Sequence, residues 1–389
     1  MAHFPFAGVH FAGVPLSGAS AQPVAVPEVA YPAIAPVLIV LGAACLSVLV
    51  EAFIPRSSRW SVQVLLTFLT LAAAGAALGA HLYSYAREGQ GDVLTLTGTV
   101  VVDGPALFLW GTLLALGFGA VLLIADKSVE PGGAFAADAA VRPGTLIDRE
   151  INRAVQPQGY AGTAVVTRMQ TEVFPLFLFS LGGMMVFVAA NDLLTMFIAL
   201  EVLSLPLYLM CGLARRRRQL SQEAAVKYFL LGAFSSAFFL YGVALIYGYA
   251  RSVTLSEIAE AAGGSDRSDT LLFGGLALLM IGLLFKASVG PFHAWTPDVY
   301  QGAPTPVTAF MAACTKVAAF GAILRVLTVA FGTTEWEWRG VLWGVAIVSM
   351  VIGAVLGLTQ TDIKRMIAYS SVAHAGFILV GAIALTEAG

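Results

Sequence analysis

Glu201, Lys227, Lys286 and Lys316 interrupt long apolar runs of a 389-residue chain, and Arg325 does the same further on. His293 and His374 stand in the same C-terminal half. Lysine is the informative type. Desolvation loosens a buried ammonium's hold on its proton, and a nearby carboxylate tightens it. A lysine–glutamate pair is therefore a tunable proton holder, whereas arginine stays protonated throughout. A sodium site would want several oxygen ligands, and Glu201 is the only acid among these buried groups. Proton transfer is the chemistry this set suits. Histidine titrates near neutrality and can shuttle protons, so His293 and His374 are further candidates. Arg325 lies near the end of its apolar run, where its head is expected to snorkel out.

The elements that position these residues follow from composition. The chain is 58% hydrophobic and 11% charged, with a mean hydropathy of +0.84. Soluble domains carry about 25% charged residues, so lipid must be the solvent for much of the surface. A bilayer crossing needs about 20 apolar residues. Ten stretches qualify, at roughly 33–54, 61–84, 100–125, 172–190, 192–213, 222–249, 270–295, 304–330, 340–360 and 364–385. These runs are continuous instead of alternating, which excludes a barrel. The fold class expected is an all-α polytopic membrane protein. A charge at the bilayer centre costs at least about 2.5 kcal/mol on the most lenient scale. Charges on four consecutive helices therefore point to an ion or proton path through the bundle interior.

The seventh span carries a second signal. In residues 286–306, KASVGPFHAWTPDVYQGAPTP, Gly290 and Pro291 break the helix soon after Lys286. Proline removes a backbone donor and clashes with the preceding turn. A discontinuous helix at membrane depth exposes backbone groups that line a cavity or path.

Lysine and arginine set the orientation. With the N-terminus outside, the inner loops hold Arg56, Arg59, Lys127, the run Arg215–Arg218, Lys364 and Arg365, and the outer loops hold far fewer basic residues. The run at 215–218 is thus first a topology signal. Residues 1–32 are expected to form an extracytoplasmic tail. Small residues near 19–21 resemble a signal-peptide cut, but no lysine or arginine precedes them. Segment 33–126 is expected to hold three transmembrane helices, and 127–169 to form a polar cytoplasmic loop. Segment 170–330 would hold five helices, and 331–389 two. Trp336, Trp338 and Trp343 suit an interfacial belt, and Asn191-Asp192 a tight outer turn.

Net charge is −2, which offers nothing to nucleic acid. Cys45, Cys211 and Cys314 make no iron–sulfur spacing, and no strand-then-GxGxxG pattern appears.

Four segments carry a family resemblance: NDLLTMFIALEVLSLPLYLM (191–210), EAAVKYFLLGAFSSAFFLYGVALIYG (223–248), FKASVGPFHAWTPDVYQGAPTPVTAF (285–310) and KRMIAYSSVAHAGF (364–377). From about 172 onward the chain resembles subunit N of the proton-translocating NADH:quinone oxidoreductase, respiratory complex I, in the antiporter-like subunit family. The wording DVYQGAP after the break resembles subunit N more than subunits L and M or the Mrp-type antiporters.

The resemblance implies that Glu201 modulates the charge of Lys286, the lysine of the broken helix. It implies that Lys316 connects onward and that Lys227 lies near the pair. It also implies partners: other membrane subunits of the complex in a bacterial inner membrane, with NADH, FMN, iron–sulfur clusters and quinone bound on other polypeptides and no cofactor here. The family is built from two inverted five-helix repeats. The first repeat is expected to be complete here and the second to stop after its second helix, as in a fragment or truncated frame. A path built from this chain alone would then lack its outlet half. The alternative function is a subunit of a Mrp-type cation/proton antiporter, and a third is a structural subunit with inert charges.

Overall fold

The computed structural model describes residues 29–88, 91–126, 134–135, 145–146, 170–214, 217–264 and 269–384. Expectations for residues 1–28 and for most of the loop 127–169 lie outside the described residues, as do Arg215 and Arg216. Among the described residues, nine helices are long and apolar enough to cross a bilayer, and Val173–Ala189 is a shorter apolar helix beside them. The expected spans correspond to these ten helices.

Helices α1 (Tyr31–Phe53) and α2 (Arg56–Glu88) form a hairpin that turns at Pro55. Glu51, in the last turn of α1, is a second carboxylate inside a span, which the sequence reading passed over. Its oxygens accept from Arg59 Nη1 and Gln63 Nε2 at 3.1 Å and from Thr171 Oγ1 at 2.6 Å. Glu51 is thereby spent on tying α1 and α2 to Thr171, just ahead of the helix Val173–Ala189.

Residues 100–102, expected to open the third span, instead form one strand of a hairpin, β1 (Val93–Thr95) with β2 (Val100–Val102). Val-Val-Val favours extended backbone, and the turn places Leu96, Thr97 and Gly98 at positive φ. Asn191 anchors this hairpin: its backbone N–H donates to the Thr99 carbonyl and its side chain to the Gly98 carbonyl. Asp103 then caps α3 (Gly104–Ala125) by accepting from the Ala106 N–H.

Helix α4 (Val173–Ala189) and α5 (Leu193–Cys211) turn at Asn191-Asp192, with Asp192 as N-cap of α5. Helix α6 (Arg218–Ala250) has 33 residues, about 50 Å at 1.5 Å per residue. It outreaches a hydrocarbon core of about 30 Å. A short helix, α7 (Leu255–Gly264), buries Leu255 and Ile258 in the connection to α8 (Thr270–Ala287). Helix α8 lies so close to α6 that a Cβ on Gly242 would stand 2.5 Å from the Leu279 nitrogen. Small residues permit such backbone approach in membrane bundles.

The break comes sooner after Lys286 than Pro291 alone suggests. Helix α8 ends at Ala287 because Ser288 adopts a left-handed conformation, φ 61°, with its N–H turned back to the carbonyls of Leu284 and Phe285. The chain resumes in a seven-residue helix, α9 (Thr296–Gly302). Helix α10 (Thr305–Ala330) contains two π-helical turns, Met311–Thr315 and Val326–Ala330, which bracket Lys316–Arg325. Helices α11 (Glu335–Leu358) and α12 (Ile363–Ala384) form the last hairpin. Trp336 and Trp343 are exposed as a belt requires, while Trp338 turns inward and donates to the Phe331 carbonyl.

Arg325 does not snorkel. It is 7% exposed, donates to both carboxylate oxygens of Asp103 at 2.8 and 2.9 Å, and donates to the Val188 carbonyl at 2.8 Å. This fork joins α10, which carries Lys316, to α3 and α4. Removing one partner of a buried pair strands the other charge. Asp103→Ala should therefore destabilise the protein by about 3–5 kcal/mol. Glu335→Ala, which breaks a half-exposed pair with Arg339, should change stability by less than about 1 kcal/mol. Unfolding of the detergent-solubilised variants measures the contrast.

Candidate functional site

Lys286 lies in the last turn of α8 and is 3% exposed. Its ammonium donates to Ser204 Oγ on α5 at 2.6 Å and to Tyr228 OH on α6 at 3.1 Å. It stands 5.2 Å from the centroid of the Tyr228 ring and 5.8 Å from that of Tyr208, within cation–π range. Trp295, just past the break, stacks on Tyr228 at 4.5 Å with an interplanar angle of 8°. Its indole N–H donates to the Phe285 carbonyl at 3.0 Å. Three helices and the break thus enclose one amine in hydroxyls and aromatic faces.

Among the described residues no carboxylate makes an ion pair with Lys286. Glu201 sits one turn before Ser204 on α5, the helix that supplies a hydroxyl to Lys286. Its Oε1 is buried with no hydrogen-bond partner among the described residues. Hydroxyls take the contacts that an ion pair would have used.

Lys316 follows the first π-helical turn and is 8% exposed. It donates to the Ser371 carbonyl of α12 at 2.8 Å and reaches the Ala287 carbonyl at 3.4 Å. Ala287 is the last residue of α8 and the neighbour of Lys286. Helix C-termini leave carbonyls unsatisfied and carry partial negative charge, so the break supplies the acceptor that Lys316 uses. Lys316 thus reaches the residue next to Lys286 in the chain.

Lys227 is not with them. Successive helical residues point about 100° apart, so Tyr228 turns inward while Lys227 turns toward the first turn of α9. Its side chain is 42% exposed and pairs with Glu223 at 2.6 Å and Asp298 at 2.8 Å. The expectation of four mutually facing groups is corrected at Lys227, which lies elsewhere. His293, within the break, is half-buried, faces Tyr369 at 6.1 Å, and has Nδ1 buried without a partner among the described residues. His374, expected inside the bundle, lies on an exposed face of α12 with Nδ1 against the Ser370 carbonyl. Gly290 and Pro291 form the apex of the break, where the Gly290 N–H donates to Ser349 Oγ of α11 at 3.0 Å.

Asp298 was missed by the sequence reading. One oxygen accepts from Lys227 at 2.8 Å, and the other from Arg365 at 2.5 Å. The signal was an acid in the first turn after the break, facing basic residues at two other helix ends. Arg365 also donates to Gln301, Gln301 to Asp362, and Arg217 lies 3.8 Å from Asp362. A cavity of about 470 Å3 opens beside this group, lined in part by Arg217, Gln301, Asp362 and Lys364.

Residues 190–389 match the family described as "NADH:quinone oxidoreductase/Mrp antiporter, TM". The chain belongs to that family. It is a multi-pass membrane member, and the two relatives named next are subunit N chains. The subunit N of NADH-quinone oxidoreductase from Saccharopolyspora erythraea is 72% identical over 92% of this chain and 67% of the relative. That from Acidothermus cellulolyticus is 58% identical over 92% of this chain and 65% of the relative. The chain thus spans about two thirds of the length of these relatives. Among solved structures, a chain of respiratory complex I from Thermus thermophilus with bound aureothin has 33% identity and a TM-score of 0.65, over 89% of this chain and 64% of that one. A chain of the Mrp complex from Dietzia shares the family fold, with a TM-score of 0.68 at 21% identity over 90% of this chain and 59% of that one.

Burial alone would raise the Asp298 carboxyl, but the bonds from Lys227 and Arg365 outweigh it and hold it below the usual carboxylate range. A group whose proton affinity falls on folding stabilises the fold above its unfolded value, about 3.9 for Asp. That contribution fades as the pH drops through the lower folded value. The stability difference between the parent and Asp298→Asn should be constant from about pH 5 upward and should shrink below about pH 4. Unfolding midpoints of the solubilised proteins across that range measure it.

Proposed function

We propose that this chain acts as a proton-translocating membrane subunit of an NADH:quinone oxidoreductase, and that Glu201, Lys286 and Lys316 carry the proton. The single observation that supports this best is the position of Lys286. Its amine is enclosed between α5, α6 and α8 and held by hydroxyls, and Glu201 stands one turn before the Ser204 that bonds it. In that setting, a change in the field at Glu201 alters the hold of Lys286 on its proton without breaking a direct contact. Lys316 would come next in line, since it reaches the Ala287 carbonyl beside Lys286, and its bond to Ser371 would lead on to α12. His293 can serve as an accessory acceptor from within the break.

The names of the relatives support the rest of the assignment. Other subunits of the complex would carry NADH oxidation and quinone reduction with FMN and iron–sulfur clusters, and neighbouring membrane subunits would flank this one. The membrane would be the bacterial inner membrane, and the N-terminus would lie outside, the orientation that keeps most basic loop residues inside. The Mrp antiporter reading has weaker support, since the likeness to the Mrp chain is one of fold alone.

In the assembled complex in vesicles, Lys286→Ala should reduce NADH-driven proton uptake about a hundredfold, the low end of what a placed proton-transfer group contributes. Lys286→Arg should fail equally, because a guanidinium keeps its proton. Glu201→Gln should impair uptake less severely. Uptake that is unchanged in Lys286→Ala, or that follows added Na⁺ and not NADH, would contradict the assignment.

A further inference from the structure

We infer that Asp298, clasped between Lys227 and Arg365, is a positioning residue that holds the helix after the break in register, so that Lys286 and Lys316 keep their partners. The inference rests on the proton-path reading and reassigns Lys227 from relay to clasp.

Helix α9 has seven residues, too few to keep its place by its own backbone bonds. It is fastened at two levels on the α6 side. Trp295 stacks on Tyr228, and one turn later Asp298 pairs with Lys227, the residue next to Tyr228. The ring that receives the Lys286 proton bond and the ammonium that holds α9 are thus adjacent on one helix. On the other side, Arg365 of α12 takes the second carboxylate oxygen of Asp298 and also reaches Gln301. Lys364 donates to the Ala303 carbonyl at 3.0 Å. Less than two turns further along α12 lies Ser371, whose carbonyl receives Lys316. One carboxylate therefore ties together the two helices that carry the partners of both lysines.

The charges that face Asp298 are Lys227 and Glu223 from α6, Arg365 from α12, and, through Gln301, Asp362 with Arg217. Both oxygens of Asp298 are occupied by cations, and Lys227 is gripped by two acids. A proton on Lys227 is bound in a network whose bonds all require the cation. That arrangement serves attachment and does not favour release. It also separates the two roles by a substitution: arginine can replace lysine in a clasp and cannot replace it in a relay.

The test uses the assembled complex in vesicles. Its readouts are protons taken up per NADH oxidised, the pH profile of uptake, and the amount of assembled complex. Lys227→Arg should pump as the parent does. Asp298→Asn should assemble, lose uptake per NADH severalfold and shift the pH profile, because Tyr228 and Lys286 lose their register. Asp298→Glu should recover part of the loss. The pair Lys227→Gln with Asp298→Asn, which leaves net charge unchanged, should assemble and behave as Asp298→Asn does. Parent-like uptake and pH profile in Asp298→Asn would overturn the inference, as would a Lys227→Arg variant as defective as Lys286→Ala. Failure of both Asp298→Asn and the paired variant to assemble would overturn it too, making the cluster a requirement for folding. Lys286→Ala serves as the reference: unchanged pumping there defeats the proton-path reading itself, independently of the clasp.

Discussion

A lysine amine kept inside a bilayer must find hydrogen-bond acceptors in the protein or lose its charge, and the bundle is organised around that requirement. Lys286 finds two hydroxyls on two different helices. Each hydroxyl must itself be held. Tyr228 is held by the Trp295 stack, and Ser204 is bonded to the Leu200 carbonyl of its own helix. The aromatic faces of Tyr208 and Tyr228 supply partial negative charge without a formal anion. A contacting carboxylate would stabilise the ammonium far more, and would fix the proton in place. A carboxylate set one turn away leaves the balance adjustable.

The broken helix meets the same requirement for Lys316. The last carbonyls of a helix have no partner within it and are open to a nearby donor. Ending α8 at Ala287 frees a carbonyl at membrane depth, and Lys316 approaches it from α10 while donating to Ser371 on the far side. Around this point the bundle is made stiff. The Arg325–Asp103 fork anchors α10 to α3, Ser349 fastens the apex of the break to α11, and Gly242 allows α6 and α8 to touch. The two π-helical turns on either side of Lys316–Arg325 set the rotation of that stretch relative to the rest of α10.

Much of this was legible in the sequence, for physical reasons. Apolar runs of about 20 residues declare themselves, and every expected span met a helix. A lysine in such a run is costly enough to mark its own importance; Lys286 and Lys316 are both buried. Three features were not legible. Direction around a helix depends on the rotation of each span in the bundle, so Lys227 and Tyr228 could not be told apart as outward and inward residues. Burial of Arg325 depends on Asp103, more than 200 positions earlier, and no local pattern announces such a pair. His374 lies mid-span by position and yet faces outward in this chain. Asp298 was readable in part, since an acid one turn into a helix after a break, at the end rich in Arg217, Lys364 and Arg365, has cations within reach.

The central claim is that Glu201 governs Lys286 across a gap that polar groups can bridge. The buried Oε1 of Glu201 has no protein partner among the described residues, and buried polar atoms of this kind ordinarily bind water. The most direct measurement is an electron cryo-microscopy structure of the assembled complex at a resolution that places individual waters. The account predicts ordered water linking Glu201 Oε1 to the Lys286 amine, with Ser204 and Tyr228 still bonded to it. A dry, apolar contact between the two residues, or Glu201 turned away toward lipid, would contradict it.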